Sequence, residues 1–428
     1  MAKSEKLQQF LKTLGPGIMF AGTCIGGSHL VQSTRAGADY GFDLLYIILL
    51  ANFFKYPFFE FASRYTSATG DSVLEGYKKI GNWTLYLYGV ITLISMFIVT
   101  AAILSVTGGL LGNLFHSEST TTTYWIIGIS LVVLLLLIIG KFSILDSSLK
   151  IIGIALFLSV VGATAMILIE GKPEIQPTFI APEIYTAAGF SFMIALMGWM
   201  PMGVDMSAWA SLWTQERIKQ TNYHPTLKET LLDFNIGYGI TVFTALCFLT
   251  LGAYVFYGTG EQLSNNATIF SNQLVTLFTK NIGEWSYTII AIAVFSTMFG
   301  TSLTLVDGYT RSAVRIIDLL KESKTPDSKK NYLLWIFLTI GGGIAIIIGS
   351  TIENKSGQPI LNFKQLIDIA TALSFVVAPI AAWLNYAVIY KTGIPESYKP
   401  QKWLQVLAIL GMVFLTVFSL AFIYSKFS

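Results

Sequence analysis

The sequence has little cysteine, little charge and none of the common catalytic motifs. Its 428 residues include only two cysteines, Cys24 and Cys247, both in apolar segments, so we expect neither a disulfide framework nor a Cys-rich metal site. Charged residues make up 12% of the chain and the net charge is +3, with Lys and Arg scattered, which argues against a nucleic-acid surface. No Ser/His/Asp arrangement, His-Glu-x-x-His or Gly-x-x-x-x-Gly-Lys motif occurs, so a membrane enzyme or sensor is disfavoured and we predict a protein that is not an enzyme.

Hydrophobic residues are abundant, at 54% of the chain, which is typical of a polytopic membrane protein. A membrane-spanning helix needs about 20 apolar residues. Windows of that length predict an all-α protein with eleven transmembrane helices, at residues 14–37, 42–66, 84–114, 124–141, 147–169, 186–212, 233–257, 284–308, 332–350, 365–390 and 403–424.

The N-terminal tail, residues 1–13, is polar, and the apolar stretch after it shows no small-residue cleavage site, so we interpret that stretch as a first span and not a signal peptide. The positive-inside rule places the tail in the cytoplasm and the C-terminus outside, in the plasma membrane. The loop at 309–332 contributes most of this bias, so we interpret it as a topology determinant and not a ligand site. Its basic residues are Arg311, Arg315, Lys321, Lys324, Lys329 and Lys330.

Two of the predicted spans contain helix breaks, and four uninterrupted spans follow each of them. The break in span 1 is at Gly26, Gly27, Ser28 and His29, and that in span 6 is at Met200, Pro201 and Met202. This layout predicts two inverted repeats, 14–169 and 186–390, followed by an extra span at 403–424, as in secondary transporters. Because broken helices free backbone groups that lipid cannot satisfy, a ligand site is expected at the breaks.

Several motifs together resemble the NRAMP (natural resistance-associated macrophage protein) divalent-metal transporters. This resemblance implies a leucine-transporter-type fold, alternating access and, usually, proton-coupled import of manganese or ferrous iron. The metal would be a substrate and not a permanently bound cofactor. The residues that carry the resemblance are Gly15-Pro16-Gly17, the stretch from Arg35 to Phe42, Leu49 to Asn52, Ala68-Thr69-Gly70, Met200-Pro201 and Asp307-Gly308.

The chain departs from that family at the residues that bind the metal, so it resembles a divergent member. Gly26, Gly27, Ser28 and His29 stand where the family has Asp-Pro-Gly-Asn, and Met202 stands where it has the His of Met-Pro-His. Met197 replaces a small residue that usually offers its carbonyl. In span 3, Thr100 and Ile103 occupy places that are acidic in typical members, and no carboxylate lies between Thr84 and Phe115.

The residues that replace the family's metal ligands allow two interpretations of the site. In the first, His29, Met200 and Asp205 bind a transition metal through nitrogen, sulfur and oxygen, with the carbonyls of Gly26 and Met197. The alternative is that His29 hydrogen-bonds backbone freed by the break while Met197, Met200 and Met202 only pack.

In the second interpretation, the amides beside Gly26, Gly27 and Ser28 bind an anionic or small organic solute, since glycine lets a substrate approach the backbone closely. The alternative for the glycines is close helix packing. The expected substrate-binding residues are therefore Gly26, Gly27, Ser28, His29, Met197, Met200, Met202 and Asp205. Membrane lipid and a small ion or solute are the partners that the sequence predicts.

Ionisable residues within spans are candidates for ion coupling, because a charge in hydrocarbon is costly and usually functional or paired. Glu60 and Arg64 lie four residues apart and could form a structural pair. Lys55, beside a proline that should kink span 2, could titrate or stand in for a bound cation, and a fixed positive charge there argues against simple cation import. Asp368 in span 10 is a third candidate and a potential partner of Lys55.

Overall fold

A computed structural model of the chain describes residues 15–117, 122–139, 142–171, 175–322, 328–352 and 359–427. The predicted cytoplasmic tail at 1–13 lies outside these residues, as does Lys324 of the basic loop. Within them the structure is helical, with fifteen α-helices: α1 Pro16–Cys24, α2 Thr34–Tyr40, α3 Leu45–Thr69, α4 Val73–Ile80, α5 Asn82–Leu114, α6 Thr122–Ile139, α7 Phe142–Glu170, α8 Ala187–Gly198, α9 Ser207–Thr221, α10 Leu227–Val255, α11 Ala267–Ile282, α12 Tyr287–Lys321, α13 Ser328–Thr351, α14 Phe363–Lys391 and α15 Lys402–Phe427.

Nine helices in the described part of the chain are long and apolar enough to cross a membrane, which confirms a multi-pass membrane protein. They are α3, α5, α6, α7, α10, α12, α13, α14 and α15, and each coincides with a predicted span. The other two predicted spans, 14–37 and 186–212, are divided into shorter helices, as the breaks in the sequence predict.

Two helices lie outside the predicted spans, in segments expected only to connect them. Asn266 caps the N-terminus of α11 by accepting hydrogen bonds from the amides of Thr268 and Ile269, which nucleates a helix too polar to resemble a span. The short helix α4 is amphipathic and buries Val73 and Tyr77.

The arrangement of the helices brings both broken spans into the interior. Helix α5 packs against α11, α12, α13 and α14, and α10 packs along α1 and α2. Helix α8 packs against α14. The breaks are thereby surrounded by protein, which is where unwound backbone in a membrane protein can be tolerated.

Candidate functional site

The first break begins directly after α1. The backbone of Gly26 leaves the helical region, with ψ at −110°, which kinks the chain within Ile25–Ser33 before it continues into α2. A methyl group on Gly26 would collide with the side chain of Thr301 in α12, and one on Gly27 would come within 2.6 Å of Ile103 in α5. The two glycines therefore allow close contact with neighbouring helices, as their packing interpretation expects.

The second break follows α8. Residues 199–203 are not helical, the Met200–Pro201 peptide bond is cis, and a 3₁₀ turn at Val204–Met206 leads into α9. The Ser28 hydroxyl lies 3.0 Å from the carbonyl of Pro201, so the two breaks are in direct contact. Both predicted breaks therefore contain non-helical backbone, at Gly26 in the first and at residues 199–203 in the second.

Both ring nitrogens of His29 have polar partners within the protein. Nε2 lies 2.8 Å from the Thr241 carbonyl in α10, which can only accept, so Nε2 carries the hydrogen. Nδ1 lies 2.5 Å from the Ser28 hydroxyl. The imidazole is fully buried. A ring nitrogen could therefore bind a metal ion only after losing its present hydrogen bond. This geometry favours a hydrogen-bonding role, although the carbonyl it binds belongs to α10 and not to a break.

The other predicted metal ligands lie among different partners. The Met200 sulfur lies 3.9 Å from the Ser33 hydroxyl. The Met202 sulfur lies 3.9 Å from the Cys24 thiol. Asp205 is buried with one carboxylate oxygen lacking a hydrogen-bond partner. Among the described residues, no group of three or more His, Cys, Asp and Glu side chains is placed to hold a metal ion. The metal set of His29, Met200 and Asp205 stays a prediction.

A small cavity of about 20 Å³ lies between the breaks, with room for about one water molecule. The side chains of His29, Met200 and Asp205 do not line it. Both breaks contribute to its wall, together with α5 and α12, through residues that include Cys24, Gly27, Ser28, Ile103, Met202 and Thr301.

Lys55 reaches the second break from α3. Its ammonium donates to the carbonyls of Met197 at 2.5 Å, Gly198 at 2.8 Å and Met202 at 3.2 Å. The sequence identified Lys55 as unusual, but it contained no signal for these three acceptors. The Met197 carbonyl, expected to face the substrate, is therefore bound by a side chain of the protein.

Asp368, considered as a partner for Lys55, is bound by Arg35 instead. The guanidinium donates to its two carboxylate oxygens at 2.6 and 3.0 Å, and Gln32 donates to the same carboxylate at 3.1 Å. Arg35 also lies over the ring of Phe192 at 5.0 Å. This cluster joins the second half of span 1 to α14 and α8.

Glu60 and Arg64 form a buried ion pair along α3, as their spacing predicts. The guanidinium contacts both carboxylate oxygens, and it also donates to the Tyr398 carbonyl at 2.8 Å. Their side chains are only 2% and 8% exposed. The geometry favours the structural interpretation of Glu60 over a role in coupling.

Asp233 in α10 has a role that the sequence did not reveal. Its carboxylate accepts hydrogen bonds from the amides of Gly17 at 2.7 Å and Gly15 at 3.3 Å, so it caps the N-terminus of α1 from another helix. The only available signal was an acidic residue near the start of an apolar span.

We expect Asp233→Ala to lower the free energy of unfolding by about 1 to 2 kcal/mol, because the first turn of α1 loses a buried acceptor and a charge that favours the helix dipole. Asp233→Asn keeps an acceptor oxygen and should lose less. Thermal unfolding in detergent measures both changes. Two variants as stable as the original protein would contradict the capping role.

Comparisons with known proteins cover nearly the whole chain. The family model described as "Natural resistance-associated macrophage protein-like" matches residues 17–425. The sequence is 34% identical over 417 residues to an uncharacterized protein of Pasteurella multocida, covering 96% of this chain and 91% of that protein. It is 22% identical over 438 residues to the divalent metal cation transporter MntH of Staphylococcus saprophyticus, covering 99% and 93%.

Two groups of solved structures share the fold. A manganese transporter of Eremococcus coleocola matches with a TM-score of 0.70 at 12% identity, over 98% of this chain and 88% of that chain. MhsT in complex with L-phenylalanine matches with a TM-score of 0.58, also at 12% identity, over 96% and 98% of the two chains. At such identities these likenesses show the fold alone.

Proposed function

The chain belongs to the natural resistance-associated macrophage protein-like family, whose members are transporters and not enzymes, and from this premise we propose that it is a secondary transporter working by alternating access. The observation that carries the proposal is the contact of the two helix breaks around one cavity, where the Ser28 hydroxyl oxygen lies 3.0 Å from the Pro201 carbonyl oxygen. Discontinuous helices that meet near the middle of a membrane are the usual substrate site of such transporters.

The proposed architecture has eleven crossings. Two repeats of opposite topology, 14–169 and 186–390, each begin with a broken span, and residues 403–424 add one more crossing. The N-terminus is proposed to be cytoplasmic and the C-terminus outside, in the plasma membrane, on the Lys and Arg distribution. The order of broken and unbroken helices supports this layout.

The first candidate substrate is a divalent metal ion. The family, and the Staphylococcus saprophyticus relative named as a divalent metal cation transporter, support it. The proposed site is unusual, with His29, Met200 and Asp205 as ligands around Gly26, Gly27, Ser28, Met197 and Met202. Asp205 provides the strongest local support, because one oxygen of its buried carboxylate has no hydrogen-bond partner among the described residues. Binding would require His29 to give up a hydrogen bond.

A small organic or anionic solute is the second candidate. Gly27 and Ser28 line the cavity between the breaks, whereas the predicted nitrogen and carboxylate ligands do not. The buried charge of Lys55 lies at the same break, where it would favour an anion over a cation. MhsT, with the same fold, was solved with L-phenylalanine bound.

In the proposed orientation, an ion pair lies between helices on the outer side of the protein. The Arg35–Asp368 pair ties span 1 to α14 there. A vestibule of about 540 Å³ opens on the opposite side, where Glu75 and Arg315 contribute to its wall. A cavity of about 500 Å³ opens on the outer side and is lined by residues that include Ser105 and Phe363. Alternating access would require the Arg35–Asp368 pair to separate.

Thermal stabilisation and liposome uptake test the choice of substrate. The unfolding midpoint of the purified protein and its uptake activity are measured separately with manganese, cadmium, magnesium, amino acids and small anions. For the metal candidate we expect stabilisation by manganese or cadmium, and at least about tenfold weaker binding in Asp205→Asn, since an anionic ligand to a cation is lost. Glu396→Gln, at an exposed carboxylate, is the control. Stabilisation by organic solutes or anions, with none by any metal, would reject the metal and support the second candidate.

A further inference from the structure

The side chain of Lys55 is fully buried and ends at the point where α8 stops. Its three acceptors, the carbonyls of Met197, Gly198 and Met202, come from both sides of the second break, at 2.5, 2.8 and 3.2 Å. We call these three carbonyls the carbonyl cage. Lys55 forms no salt bridge with any residue in the described ranges, so the cage is its direct binding partner.

The cage has the chemistry of a cation site. The last carbonyls of a helix have no partner within that helix, and they carry the negative end of its dipole. The Met197 carbonyl also accepts a hydrogen bond from the Met200 amide at 3.2 Å. Because an unsatisfied carbonyl inside a membrane protein is costly, the Gly198 and Met202 carbonyls depend most on a donor or an ion. Rings of backbone carbonyls replace the hydration shell of monovalent cations in channels. An ammonium group supplies both the charge and the donors.

We propose that the Lys55 ammonium is the resident cation of the carbonyl cage, tethered to α3, and that removing it uncovers a binding site for a free monovalent cation. The transporter therefore needs no free cation at this position in order to assemble the second break. The Met197 and Met202 carbonyls are not ligands of the transported solute while the lysine is in place. This goes beyond the proposed function and holds for either candidate substrate.

The proposal differs from a purely hydrogen-bonding role of Lys55. The 3₁₀ turn that follows the break carries the buried carboxylate of Asp205, a charge opposite in sign to the ammonium of Lys55. If only hydrogen bonds mattered, a neutral donor of similar length would suffice. If the charge matters, a neutral donor fails and a free cation succeeds.

The test is thermal unfolding of detergent-purified Lys55→Ala in ammonium chloride, potassium chloride and the bulky cation N-methyl-D-glucamine, all at the same ionic strength. We expect the midpoint of Lys55→Ala to lie about 5 °C or more below that of the original protein in N-methyl-D-glucamine. Ammonium or potassium should recover most of that loss. The original protein and Lys219→Ala, at an exposed lysine, should show no difference among the three salts.

Two further variants keep the test decisive if Lys55→Ala does not fold. Lys55→Gln offers neutral donors, and Lys55→Met fills the space without any donor. The proposal expects both to be destabilised to a similar extent and to be insensitive to the salt, because their side chains occupy the cage. Lys55→Gln as stable as the original protein would overturn the proposal, as would a Lys55→Ala protein that folds but responds equally to all three cations.

Discussion

Replacing Glu60 with alanine is expected to lower the free energy of unfolding by about 3 to 5 kcal/mol, because it leaves Arg64 as an unpaired charge in the interior. The Arg64 side chain is only 8% exposed, so water cannot readily solvate its charge. Its remaining hydrogen bond, to the Tyr398 carbonyl, neutralises no charge. Thermal or denaturant unfolding in detergent measures the effect.

The double replacement Glu60→Met with Arg64→Met separates pairing from function. Removing both charges should recover most of the stability, since buried ion pairs are often replaceable by apolar side chains of similar volume. The exposed pair of Asp71 and Lys79 is the matched control, and its loss should cost less than about 1 kcal/mol. If the stable double variant transports normally, Glu60 has no part in coupling. Loss of transport in that variant would restore Glu60 as a coupling residue.

Gly27→Ala is expected to reduce uptake by at least about tenfold, because small displacements in a site have large effects on rates. The added methyl group would come within 2.6 Å of Ile103 and 2.7 Å of Trp199, two residues that line the cavity between the breaks. The Ile103 contact is with the end of a flexible side chain, whereas Trp199 is held by a hydrogen bond to Ser374. We expect the protein to fold with the cavity filled, which thermal unfolding of the variant checks. Liposome uptake with the substrate identified above measures the effect.

Gly22→Ala is the control for this prediction. Gly22 lies in α1, and a methyl group there meets no other atom within 4 Å outside its own helix. Alanine favours the helix by about 0.5 to 1 kcal/mol over glycine, so this variant should be equally or more stable and should transport normally. Equal uptake by the two variants would mean that the cavity at Gly27 does not hold the substrate.

Sequence features that act over a few residues predicted the nine long apolar helices and the positions of both breaks. A long apolar run has few alternatives to a membrane helix, and the Gly26-Gly27 pair and Pro201 disrupt helices through their own backbone properties. Helix α11 was not predicted because its apolar residues are mixed with polar ones. Its N-cap, Asn266, is a residue type that is also common in loops. Hydropathy alone does not distinguish a short polar helix from a loop.

The residues that hold the site together were harder to predict because their partners are distant in sequence. The sequence identified Lys55 and Asp368 as unusual, but the assumed pairing between them is replaced by three carbonyls and by Arg35. Asp233 binds amides more than 200 positions away, at the start of α1. A charge shows from its type that it needs a partner in a membrane, yet only the packing of helices decides which partner it meets.

The amino-acid sequence by itself determined that this chain is a multi-pass membrane protein with two interrupted spans, because hydrophobicity, glycine and proline act over a few residues. Only the tertiary structure decided that Ser28 meets Pro201 and that the ammonium of Lys55 occupies the end of α8. The physical reason is that freed backbone groups must be satisfied within the protein, and the group that satisfies them is selected by which helices pack together.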